Sequence, residues 1–214
     1  MTAKETYLES LHLPPEGPDD GGTRARLLVA AVRMFAHDGY DTCTMRELAA
    51  AVGVKAPAIY NHYGSKQEVL AAAVGFVCND FMTVVLSGLE DFPADERLFE
   101  LARRHVRYKT DNLELARAND ELLNPEFMAR ALPAAELRRI TAALSTYRAI
   151  VRELISLASP GTVADHSVNG QVLTVAVIDV CDGVSVWFRP DGKLRADQVA
   201  DHVCVLIRRL ITPS

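Results

Sequence analysis

Between residues 23 and 70, six basic side chains (Arg24, Arg26, Arg33, Arg46, Lys55 and Lys66) stand against four carboxylates, Asp38, Asp41, Glu47 and Glu68. Such a local surplus of positive charge attracts phosphate, whatever the sum over the chain. That sum is −5 for 214 residues. Residues 1–22 set Lys4 against Glu5, Glu9, Glu16, Asp19 and Asp20, and the stretch beyond residue 70 is acidic too. Catalytic chemistry has no comparable foothold. The chain has no nucleophile elbow, phosphate-cradling glycine loop or credible carboxylate pair, and Ser145, His105 and Asp179 cannot be assembled into a triad from their spacing. Cys43, Cys78, Cys181 and Cys204 have neither metal nor redox spacing. No catalytic residue, metal or cofactor is expected, which leaves a small helical enzyme as the remote alternative.

The elements that would position the basic residues are helices. Residues 1–22, rich in Pro, Gly and Asp, read as a flexible arm. Leu27, Leu28, Ala31 and Phe35 then recur on one helical face, which Gly39 closes. Thr44-Met45-Arg46-Glu47 is a capping-box pattern opening a helix to about Val52, and Gly53 supplies a left-handed turn. A short helix over about Ala56–His62 follows, and a second capping-box pattern at Ser65–Glu68 opens a long helix to about Leu89. Further helices are expected over about Ala94–Asn112, Leu113–Leu123, Ala134–Ala158, Val168–Phe188 and Ala196–Ile211, with an irregular or briefly helical piece between Pro125 and Pro133. The expected fold is all-α, with a helix-turn-helix domain over 23–70 and a helical domain over 71–214. The composition, 49 % apolar and 24 % charged, is that of a soluble globular protein. No apolar run reaches the roughly 18 residues of a membrane span, and no signal peptide is visible. A cytoplasmic protein with reduced thiols and no membrane partner is the expectation.

Leu48, Val54, Ile59 and Tyr63 can fill a miniature three-helix core. Ala49 lets two helices cross closely, and Gly53 turns the chain so that the second short helix is free to enter a major groove. The runs Thr44-Met45-Arg46-Glu47-Leu48-Ala49 and Ile59-Tyr60-Asn61-His62-Tyr63-Gly64-Ser65-Lys66, preceded by Gly39-Tyr40, resemble the DNA-binding domain of the TetR family of repressors from Thr23 to Leu70. The resemblance implies a phosphate contact at Thr44 and a base-edge or backbone contact at Arg46. It implies base-facing positions at Lys55, Ala56, Pro57 and Ala58, which start the recognition helix. Phosphate contacts follow at Tyr60, Asn61 and His62, and Lys66 supplies a charge at the next helix. The family often carries Ser or Thr where Lys55 stands; Lys cannot cap the helix in that way, so an operator borrowed from relatives does not transfer.

Toward the C-terminus, Asp182-Gly183-Val184, Trp187–Leu194 and Gln198-Val199-Ala200 are similar to a branch of the family that senses acyl-CoA thioesters or related hydrophobic acids. This implies a homodimer that binds a palindromic double-stranded DNA operator and is released by a small hydrophobic ligand, an acyl-CoA or organic acid. An activator or a co-repressor-dependent regulator is the alternative. The last two helices carry more apolar surface than one small domain can hide. Val172, Val175, Val186, Trp187, Val199, Val203, Leu206 and Leu210 are therefore the candidates for a four-helix dimer interface. The polar or aromatic groups His105, Tyr108, Asn112, Asn119, Asn124 and Tyr147 are candidates to line a ligand pocket. Arg103, Arg104, Arg107 and Lys109 form a basic stretch that either meets a nucleotide phosphate at its mouth or makes a solvated, ion-paired face, with Glu100 pairing Arg103 or Arg104.

Overall fold

A computed structural model describes residues 21–160 and 169–212. The expected arm falls outside the described residues except for Gly21 and Gly22, which already belong to the first helix. No strand occurs among the described residues. The all-α expectation holds.

The chain forms two compact units. The first comprises described residues 21–80 and 114–143, the second 81–113 and 144–212. In the first unit, α1 (Gly21–Met34) runs into a wider turn, Phe35–Gly39, where Gly39 takes a φ of +86°. Then come α2 (Met45–Ala51), α3 (Ala56–Tyr60) and the start of α4 (Lys66–Leu86). Leu27, Leu28, Ala31, Val32, Phe35, Leu48, Ala49, Ile59 and Tyr63 are buried together as its core. The same unit holds α6 (Leu113–Leu122), α7 (Pro125–Ala131) and the start of α8 (Ala134–Ala158). The piece between the two prolines is thus a true helix. Asn124 caps it, accepting from the Glu126 and Phe127 amides at 3.0 and 3.1 Å.

The second unit pairs α5 (Arg97–Asp111) with α11 (Ala196–Ile211) as its most extensive helix contact, with α9 (Gly170–Asp182) and α10 (Val184–Trp187) alongside. The helix expected over Val168–Phe188 is two pieces. The break falls at Gly183, where a Cβ would lie 2.9 Å from the Asp179 carbonyl and only glycine fits. Ser185 also diverts the Asp182 carbonyl by donating its hydroxyl to it at 2.9 Å.

Two described stretches, Lys66–Asp91 and Gly170–Trp187, are long and apolar enough by composition to cross a membrane. The sequence reading missed them because each is punctuated by polar residues. The first is a core helix, 61 % buried; the second is only 33 % buried. The four cysteines are buried free thiols, Cys43 and Cys78 in the first unit, Cys181 and Cys204 in the second.

Candidate nucleic-acid interface and effector region

The Thr44–Glu47 capping box forms as its spacing predicts. Thr44 Oγ1 accepts the Glu47 amide at 3.2 Å, and Glu47 Oε2 accepts the Thr44 amide at 2.8 Å. The Thr44 hydroxyl, which donates to Glu47 Oε2 at 2.8 Å, and the Thr44 amide hold the Glu47 carboxyl below its ordinary pKa. The box starts α2 with Leu48 and Ala49 inward and Arg46 outward, making no hydrogen bond or ion pair with any described residue. Gly53, at φ +74°, then reverses the chain at an angle that side chains resist.

Lys55 enters α3 in an extended conformation with no side-chain cap, as expected of a lysine, and Pro57 lies in the first turn, where its missing amide is harmless. Ile59 is 1 % exposed and anchors the helix from below, whereas Tyr60 is 54 % exposed. Lys55, Pro57, Ala58, Asn61 and His62 also face solvent, and Ala56 is half-buried. The structure therefore brings a cation, two small apolar groups, a phenol, an amide and an imidazole onto one short, outward helix and its exit. Tyr63 turns inward instead, accepting from Arg24 Nε at 3.2 Å.

Lys66 departs from expectation. Its ammonium is held by the carbonyls of Tyr40, Cys43 and Asp41 at 2.7, 2.8 and 3.2 Å, and it sits 4.5 Å from the Tyr40 ring centre. All three of its donors are engaged within the protein, so the free charge expected there is not presented. On its other side Tyr40 meets Phe127 of α7, ring centres 6.1 Å apart, and Asp41 pairs with Arg130 at 3.5 Å.

In the second unit His105, 1 % exposed, is the centre of a polar network. Its Nε2 donates to the Asp182 carboxylate at 3.0 Å, and its Nδ1 faces the Tyr147 hydroxyl at 2.9 Å. Lys109 Nζ reaches the same Asp182 oxygen at 2.8 Å. Phe81 sets its ring edgewise among His105, Tyr108 and Tyr147, with centres 4.7, 5.3 and 5.3 Å away. Partial burial alone would raise the Asp182 pKa. The His105 hydrogen bond and charge and the Lys109 ammonium outweigh it and hold the carboxyl well below the usual range. Burial pushes the Tyr147 phenol and the Cys181 thiol well up.

The remaining candidate pocket residues separate. Asn112 is exposed at the end of α5, and exposed Asn124 is spent on capping α7, so neither is an inward-facing polar group. Asn119 is buried. Arg103 pairs with Asp201 at 2.9 Å and Arg107 with Asp111 at 3.3 Å, both partly solvated; of the two readings, the ion-paired face is the one the geometry matches. Arg104 pairs with Glu100 at 2.7 Å and also donates to the Ser87 carbonyl. Asp182 escaped the sequence reading because its partners lie over 70 residues away. Lys109 is corrected: read with the basic stretch, it is instead buried and paired with Asp182, and its spacing from His105 and Tyr108 is the signal that places it on the buried face.

Of the candidate interface residues, Val172, Val175, Val186, Trp187, Leu206 and Leu210 are exposed, with Val186 at 74 % and Trp187 at 53 %. Val205 and Leu194 join them. Val199 and Val203 are corrected: both are buried in the core of their own unit, because the α11 stripe read from the sequence straddles two faces.

Residues 27–73 match the family model described as bacterial regulatory proteins, tetR family, and residues 91–211 match the tetracyclin repressor-like C-terminal domain. The chain is 24 % identical over 217 residues to the transcriptional repressor KstR2 of Rhodococcus jostii, covering 94 % of this chain and 98 % of the relative. It is 26 % identical to the transcriptional activator FasR of Mycolicibacterium smegmatis, over 53 % of each chain. The crystal structure of AibR with isovaleryl coenzyme A and operator DNA superposes with a TM-score of 0.70 at 26 % identity, covering 86 % of this chain and 97 % of AibR. With more than half its length matched by the C-terminal model and the helix-turn-helix by the N-terminal one, the chain belongs to the TetR family of bacterial transcriptional regulators.

Proposed function

We propose that this protein is a ligand-responsive transcriptional repressor that binds a near-palindromic operator as a homodimer and leaves it when a small hydrophobic ligand, an acyl-CoA or organic acid, binds. Residues 23–70 serve as the DNA-binding domain and 71–214 as the domain for ligand and dimerisation. The observation that carries this reading is the outward surface of α2 and α3. Arg46 and Lys55 are solvent-facing cations without a partner among the described residues, beside exposed Pro57, Ala58, Tyr60, Asn61 and His62. Cations and small apolar groups on a short helix suit guanine edges, thymine methyls and flanking phosphates.

Dimerisation is supported by the apolar residues left exposed on α9, α10 and α11, which a second copy would cover by a two-fold, self-complementary contact. The ligand class is supported by AibR, whose structure holds isovaleryl coenzyme A, and by the aromatic cluster of Phe81, His105, Tyr108 and Tyr147. Fluorescence anisotropy with duplexes tiling the upstream intergenic region tests the reading. A preferred site, weakened by salt and released by one member of an acid and thioester panel, is the expected result. Equal affinity for every duplex in every ligand state would defeat it.

A further inference from the structure

Resting on the DNA-binding reading, we infer that Lys66 is a positioning residue for that activity: it fixes the start of α2 by clamping the turn before it, and makes no phosphate bond of its own. Residues 40–43 belong to no helix, so their carbonyls lack the ladder partners that helical carbonyls have. Lys66 takes three of them, Tyr40, Asp41 and Cys43, from a distance of more than twenty residues in sequence. The next residue is Thr44, the N-cap whose capping box orients the first turn of α2 and therefore Arg46.

An ammonium has three N–H groups, and three carbonyls converge on this one. The Tyr40 ring lies beside it at 4.5 Å, adding cation–π attraction. Binding a phosphate would require Lys66 to surrender a carbonyl in a half-buried setting, and that loss opposes the gain. The clamp thus converts a positive charge into backbone geometry. It holds whether or not DNA is present.

The distinction is measurable because phosphate contacts and positioning contacts respond differently to salt. Removing a lysine that neutralises a phosphate lowers the slope of log affinity against log salt by about one per subunit. Removing a positioning lysine lowers affinity at every salt concentration and leaves the slope alone. Lys66→Met keeps the apolar stem and deletes the charge; Lys66→Arg keeps the charge, but its planar fork cannot supply a convergent tripod.

We expect both variants to bind the operator on the order of tenfold more weakly with the wild-type salt slope. We also expect faster hydrogen exchange at the amides of residues 43–48 in the DNA-free protein. A reduced slope in Lys66→Met, full affinity restored by Lys66→Arg, or unchanged exchange in both would each overturn the inference. Should Lys66→Met lose helical content by circular dichroism, Lys66→Arg decides by its affinity and its exchange, since a phosphate contact would survive the replacement of one cation by another and the clamp would not. If the wild-type protein prefers no duplex, the DNA-binding reading fails, whereas the exchange measurement still reports on the clamp.

Discussion

Asp182 answers to two buried partners, the His105 imidazole and the Lys109 ammonium, while keeping 43 % of its own side chain in solvent. Its folded pKa lies below the ordinary 3.8, so its contribution to stability is present in full above that value and lost as acid titrates the carboxylate. Asp182→Asn should destabilise the protein at pH 7 by about 2 kcal/mol, less than the roughly 3–5 kcal/mol for breaking a fully buried pair, since water still reaches the site. Thermal unfolding of wild type and variant across pH checks this: the gap should begin to narrow below about pH 4 and shrink progressively as the pH falls further, and a constant gap would mean that charge is not the cause. At the DNA surface, Arg46→Ala should cost about 1–3 kcal/mol and relax preference at one base position. An equal loss on operator and scrambled duplex would reassign Arg46 to the backbone. The Thr44–Glu47 pair is legible in the sequence because donor and acceptor lie within one turn. The Lys66 clamp and the Asp182 network are not, since distant chain segments create both and no local spacing announces them. Asn124 was within reach: an asparagine directly before a helix-starting proline is a capping signal.

Helix faces, more than helix positions, are where sequence and structure diverge. Along α11, Val199, Val203, Leu206 and Leu210 keep heptad spacing, yet the first two are buried and the last two exposed. Periodicity finds an apolar stripe without saying which edge a neighbouring helix takes, and α5 takes the Val203–Cys204–Ile207 edge here. The exposed edge, continued by Val172, Val175 and Trp187, is where a second copy belongs under the proposed function. Val175→Glu with Leu206→Glu should shift sedimentation to the mass of one chain and weaken operator binding on the order of a hundredfold, because unpaired charge in an apolar interface is costly. A dimer that survives both changes would place the interface elsewhere.

Over the whole molecule, the all-helical class and the helix-turn-helix were legible because each rests on local patterns: capping boxes, glycine stops and short-range periodicity. The division into two units was not, since residues 114–143 join the unit that holds the N-terminal helices, a partition decided by long-range packing. The thiols carry a consequence of their own. All four cysteines are buried, two in each unit, so a thiol-reactive dye finds little to react with until some part of the fold opens. The native chain is thereby a self-reporting instrument for local opening, with Cys43 and Cys78 as one channel and Cys181 and Cys204 as the other. Mass-spectrometric readout of labelling should resolve the two channels without introducing a foreign residue. Operator DNA should slow the first pair more than the second, and an effector that breathes life into one unit while quieting the other would write its direction of action directly into the labelling ratio.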